Sequence, residues 1–119
     1  MGKMLSNKYI LVNETFIVDH SITNIWKEWV SQNLLFELAK NETVKNLMLN
    51  RILTIFNPYG ESYAVQFIVP ENTYDKILID PSIQQARTKM FEIFRDKIAS
   101  FQTQMEIIEA KNTDLQILD

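Results

Sequence analysis

The stretch Asn57-Pro58-Tyr59-Gly60-Glu61-Ser62-Tyr63-Ala64-Val65-Gln66-Phe67-Ile68-Val69 decides how this chain folds. Its first four residues have the chemistry of a tight turn. From Ser62 onward the pattern has period two, with Tyr63, Val65, Phe67 and Val69 on one side and Ala64, Gln66 and Ile68 on the other. The reading is a hairpin: a long second strand, Val44 to Phe56, turns at Asn57–Gly60 into a third, Ser62 to Val69.

Outward from the hairpin the period changes to helical on both sides. Upstream, Ile22, Ile25, Trp26, Trp29 and Val30 follow the i, i+3, i+4 rule after Asp19 and Ser21, either of which can cap. Leu34, Leu35 and Leu38 continue that stripe out of phase, which predicts a bend or restart near Gln32 and Asn33 before Asn41 stops the helix. Downstream, a short helical turn is expected at Tyr74 to Leu78. Asp80 as cap and Pro81 at the first helical position then open a helix with Ile83, Ala86, Met90, Phe94 and Ile93 on its apolar face. The outermost segments are strands: Tyr9 to Val18, rich in β-branched and aromatic residues, and Ile98 to Ile108, alternating Phe101, Thr103, Met105, Ile107 against Gln102, Gln104, Glu106, Ile108.

This order, βαββαβ, is an α+β plan: a four-stranded antiparallel sheet in the order 4-1-3-2 with both helices on one face and the other face bare. One domain is expected, residues 9–109, with an N-terminal extension at 1–8 and a polar tail at 110–119. Placing Val65 and Phe67 under the helices leaves Gln66, with the row Gln102, Gln104, Glu106, on the open side. Strand one admits two readings. If Leu11, Asn13, Thr15 and Ile17 face outward, Glu14 lies under the helices, where an unpaired carboxylate is costly. If Ile10, Val12, Glu14 and Phe16 face outward, the open face is strongly apolar around one acid. Either way the face carries more apolar surface than a monomer usually shows, and a two-fold dimer packing sheet on sheet would cover it.

Composition narrows the function classes. A net charge of −3 offers no field for polyanions or anionic lipid, so neither nucleic acid nor a membrane surface is an expected partner. No run approaches the ~18 apolar residues of a membrane span, and the apolar patch before Lys8 is too short for a signal peptide, so a cytoplasmic location is expected. The absence of cysteine removes thiolate nucleophiles and zinc–cysteine sites. The only histidine, His20, sits between Asp19 and Ser21, but sequence neighbours cannot converge from the separate directions a hydrolytic triad needs. No helix carries an axial histidine for haem. Carboxylates at 14, 61, 71, 75 and 80 are scattered over different elements, so no metal or other cofactor is expected. Strand three, Glu61-Ser62-Tyr63-Ala64-Val65-Gln66-Phe67, lacks the basic residue, glycine and second stacking aromatic of the RNA-recognition motif that shares this element order. Trp26 and Trp29 lie on the apolar helix face and read as core.

Three segments carry a family likeness: Trp26-x-x-Trp29, Tyr63-Ala64-Val65-Gln66-Phe67, and Phe94-Arg95-Asp96-Lys97-Ile98-Ala99-Ser100-Phe101-Gln102-Thr103. In these the chain resembles an uncharacterised bacterial family, domain of unknown function 4286, over roughly Tyr9 to Ile108. The resemblance implies a ferredoxin-like fold, similar to the dimeric α+β barrels, in which two sheets meet around a small cavity; it implies no established activity. The family pattern often has a histidine after the first helix and another before the second. Here those places hold Asn33-Leu34-Leu35 and Ile79-Asp80-Pro81, so no histidine-based role transfers.

Two functional readings follow. One is a non-enzymatic homodimer that uses its open sheet face for self-association and for a small molecule. The other is a cofactor-free enzyme with a carboxylate base in a pocket at the sheet face. The candidate pocket or dimer-face residues are Glu14, Gln66, Gln102, Gln104 and Glu106. On either reading Phe67→Asp places an unpaired charge in apolar surroundings. Circular dichroism and solution mass should show an unfolded chain or a broken assembly; a folded variant of unchanged mass would mean that strand three is misplaced.

Overall fold

The computed structural model describes residues 8–54 and 57–115. Four strands, β1 (Tyr9–Asp19), β2 (Lys45–Arg51), β3 (Gly60–Pro70) and β4 (Ile98–Glu106), form one antiparallel sheet in the order β2-β3-β1-β4. This is the anticipated βαββαβ arrangement, an open ferredoxin-like sheet with β2 and β4 as its edges. The strand expected at Val44 to Phe56 ends earlier, at Arg51, and is irregular near its start, where Asn46 takes a positive φ of 53° and the β2–β3 register shifts between Lys45 and Met48. Ile55 and Phe56, assigned to that strand from the sequence, fall outside the described residues, as do residues 1–7 and 116–119 of the expected extension and tail. At the hairpin, the Asn57 side chain accepts from Tyr59 N at 2.8 Å, and a Cβ on Gly60 would collide with the Val18 carbonyl on the neighbouring strand.

Between β1 and β2 the chain is helical without a break from His20 to Ala39: a single 3₁₀ turn (His20–Ile22) leads into α1 (Thr23–Val30), a π segment (Ser31–Leu35) and α2 (Phe36–Ala39). The π segment explains the phase shift of the apolar stripe. One extra residue in the turn moves Leu34 and Leu38 back onto the buried face, and the Asn33 side chain donates to Trp29 O at 2.8 Å. After β3 come α3 (Glu71–Leu78) and α4 (Pro81–Phe94). Asp80 caps α4 by accepting from Ser82 N at 2.9 Å and Ile83 N at 3.1 Å, with Pro81 behind it, as the sequence pattern requires.

The helices cover one face only. Trp26 fills the centre of the core, its ring 5.0 Å from Phe16 and 5.2 Å from Tyr63, while Trp29 meets Phe94 edge-on. Val12, Phe16, Val18, Tyr63, Val65, Phe67 and Val69 of the central strands lie beneath, joined by Leu34, Leu38, Tyr74, Ile77, Ile83 and Met90. Burying this aromatic and branched set is the main driving force for the fold, at roughly 1.5–3 kcal/mol for each fully buried large side chain.

Register settles which face each strand presents. Glu14 pairs with Val65 of β3 and Gln102 of β4, so all three point to the helix side. The outward face is therefore Leu11, Asn13, Thr15 and Ile17 on β1, with Ala64, Gln66 and Ile68 on β3 and Phe101, Thr103 and Met105 on β4. This corrects the expected position of Gln102, Gln104 and Glu106, which share the helix side with Glu14 rather than the open side with Gln66. The edge strand alternates as anticipated but in the opposite sense: its polar row lies on the helix side, where Gln102 borders a gap, and its apolar row, Phe101 and Met105, faces outward.

Candidate functional site

The gap is a cavity of about 370 Å³ between sheet and helices. Its floor is Val12 and Glu14 of β1, Val65 and Phe67 of β3, and Ser100, Phe101 and Gln102 at the edge strand β4; its walls are Leu34 and Leu38, then Tyr74, Ile77 and Leu78 of α3, then Ile83, Gln84 and Arg87 of α4. A cavity of this size falls within the ~300–1,000 Å³ of small-molecule pockets.

Polar groups gather at one end. Glu14, only 5% exposed in the middle of a central strand, is held by Arg87 in a bidentate ion pair: Nη1 donates to Oε1, and Nη2 donates to Oε2 at 2.9 Å. Ser100 Oγ donates to the same Oε2 at 2.8 Å. Three donors therefore satisfy a carboxylate whose burial would otherwise be prohibitive. The partnership strengthens the hold of Arg87 on its proton, raising its pKa above the ordinary guanidinium value chiefly through the hydrogen bonds to Glu14. One helical turn on, the Phe91 ring lies 5.8 Å from the guanidinium carbon and adds a cation–π contact that steadies the arginine.

A second polar group adjoins the first. Tyr74 OH donates to Gln102 Oε1 at 3.1 Å and accepts from Gln104 Nε2 at 2.7 Å, which ties α3 to the edge strand. Burial pushes the Tyr74 phenol pKa upward, so the hydroxyl stays a donor.

Of the residues singled out from the sequence, the structure brings Glu14, Gln102 and Gln104 together in this polar end. Gln66 lies across the sheet on the open face, where its Oε1 accepts from Asn50 Nδ2 at 3.1 Å. Glu106 sits at the exposed end of β4, 3.7 Å from Lys8 Nζ. Arg87, Ser100 and Tyr74 were not anticipated. The signal for Arg87 was present: it lies four residues after Ile83 and three before Met90, on the apolar stripe of α4, where a charged residue requires a buried partner. Among the described residues no group of three or more His, Cys, Asp or Glu side chains could hold a metal ion, and no helix is long and apolar enough to cross a membrane.

Fold and cavity define a ferredoxin-like α+β protein with a pocket between sheet and helices. The chain belongs to the family described as Domain of unknown function (DUF4286), which matches residues 9–108. No curated protein matches the sequence. Similar solved structures include a conserved protein of unknown function from Bacteroides thetaiotaomicron, at 12% identity and TM-score 0.68, covering 86% of this chain and 100% of that one. A mutant form of SnoaB, a cofactor-independent oxygenase from Streptomyces nogalater, matches at 11% identity and TM-score 0.64 over 91% and 100%. A dimeric ferredoxin-like protein of unknown function from Thermobifida fusca matches at 16% identity and TM-score 0.62 over 87% and 94%. At such identities the likeness is one of fold.

The ion pair predicts a non-additive response to mutation. Arg87→Met strands the Glu14 carboxylate in the core and should lower stability to urea by about 3 kcal/mol, whereas Glu14→Leu combined with Arg87→Met should recover most of that loss. Simple addition of the two single effects would show that the pair does not hold the strand to the helix.

Proposed function

We propose that the protein is a cytoplasmic homodimer, assembled open face to open face, with a small-molecule pocket in each subunit between sheet and helices. The observation that carries the reading is the outward face itself. Phe101, Met48 and Met105 are 59%, 44% and 41% exposed there, beside Leu11, Ile17 and Ile68. Two pairs of polar side chains among them are already bonded, Asn13 Nδ2 to Thr15 Oγ1 at 3.0 Å and Asn50 to Gln66, so a covering copy leaves these contacts in place. A two-fold axis lets one apolar patch serve both partners. The dimeric Thermobifida fusca protein of the same fold lends support.

This arrangement keeps self-association and ligand binding on opposite faces of the sheet. The enzyme reading, with a carboxylate base, meets an obstacle at Glu14: Oε2 accepts from Arg87 and Ser100 and Oε1 from Arg87, and three donors of this kind favour the charged carboxylate and make it a poor proton acceptor. Binding is therefore the better-supported role for the cavity.

Sedimentation at micromolar concentration should give the mass of a dimer. Phe101→Glu should weaken association about 30-fold or more, as loss of a central aromatic contact does, while the circular dichroism spectrum stays unchanged. A strictly monomeric wild-type chain would overturn the dimer.

A further inference from the structure

The geometry points to the class of ligand: a neutral molecule with an apolar body and a carbonyl oxygen at one end, the oxygen seated on Arg87. The inference rests on the reading that the cavity binds a small molecule. Charge decides the first part. Glu14 and Arg87 are the charged side chains lining the cavity, and they neutralise each other in a bidentate pair. An ionic ligand would enter a pocket walled by Val12, Leu34, Leu38, Val65, Phe67 and Ile83 without finding a countercharge, or would have to break the pair and leave a buried charge behind.

Hydrogen-bond accounting decides the second part. The Ser100 hydroxyl is committed to Glu14, the Tyr74 hydroxyl to Gln102 and Gln104, and the Gln84 amide nitrogen to Leu78 O, while the remaining amide groups of the exposed Gln84 and Gln102 lie at the solvent side of the cavity. The Glu14 oxygens already take three donors, so a ligand donor finds little there. Arg87 differs: a guanidinium has five N–H groups, and those beyond the two given to Glu14 have no acceptor among the described residues. The polar end of the cavity is thus a donor in search of an acceptor, and a carbonyl oxygen supplies one without adding charge.

Three probes with one aromatic body separate these requirements: 2-acetonaphthone, a neutral ketone; 2-ethylnaphthalene, which lacks the oxygen; and 2-naphthoate, an anion. Each is titrated into the full chain at neutral pH and followed by ¹⁵N–¹H NMR. The ketone should bind about 10-fold tighter than either of the others, a preference of the size one good hydrogen bond gives. Its shifts should fall on Ser100, Gln102 and the Arg87 side chain rather than on Met48 and Thr103 of the open face. In Glu14→Gln the guanidinium loses its partner, and the preference should reverse toward naphthoate by about 10-fold. Cavity shifts with naphthoate or ethylnaphthalene binding as tightly as the ketone would overturn the ligand class and leave the pocket standing. Absence of cavity shifts with every probe would overturn both. If Glu14→Gln does not fold, the wild-type ranking decides alone; if it folds and keeps the wild-type ranking, the proposal fails.

Discussion

The Glu14–Arg87 ion pair is the constraint on which the rest of the structure depends. In a strand, a change of one residue in facing exchanges every side chain between core and solvent. Glu14 sits on the strand that pairs with both β3 and β4, so its facing sets theirs. Turning it inward brings Val12, Phe16 and Val18 under the helices and, through register, Val65, Phe67 and Gln102 with them. Turning it outward would bury Leu11, Asn13, Thr15 and Ile17 instead. The inward choice is affordable only because α4 delivers a guanidinium to the carboxylate and β4 a hydroxyl. A buried pair of this kind adds little net stability over a hydrophobic one. Its contribution here is to make one facing of the sheet far better than the other.

The consequence is a sheet with two unlike faces. On the helix side the chain accommodates the ion pair by leaving space around it, and that space, floored by Val12, Val65 and Phe67, becomes the cavity. On the other side the edge strand is left with Phe101 and Met105 pointing to solvent beside Met48. On the proposed reading, one face takes a small molecule and the other a second copy of the chain.

Much of this was legible in the sequence, because periodicity is a local property. The turn at Asn57–Gly60, the two-residue alternation of β3, the capped start of α4 and the slipped phase around Leu34 all report directly on backbone conformation, although the last predicted a bend or restart where the helix instead continues through a π segment. Neither the end of β2 at Arg51 nor its bulge at Asn46 was legible, since both belong to the pairing with β3. Nor was the facing of β4. Alternation shows that Gln102 and Gln104 share a side, but the side itself is set by the register with Glu14, a contact across most of the chain. A polar row on an edge strand reads as solvent-facing unless the partners are known. Arg87 on the apolar stripe of α4 was the one local clue that a buried acid lay opposite, and it fixes the facing of strand one once the two are considered together.

The central claim is that the facing fixed by Glu14 and Arg87 leaves the odd-numbered side of β4 as the surface that meets a second copy. Because the chain has no cysteine, Thr103→Cys provides a single attachment point for a nitroxide on that side. Spin-labelled chains mixed with unlabelled-spin, ¹⁵N-labelled ones report contacts between copies by paramagnetic relaxation. Broadening concentrated at Met48, Phe101 and Met105 of the partner, with α3 and α4 unaffected, is the predicted result; broadening centred on the helices, or none at concentrations where the chain is dimeric, would contradict it.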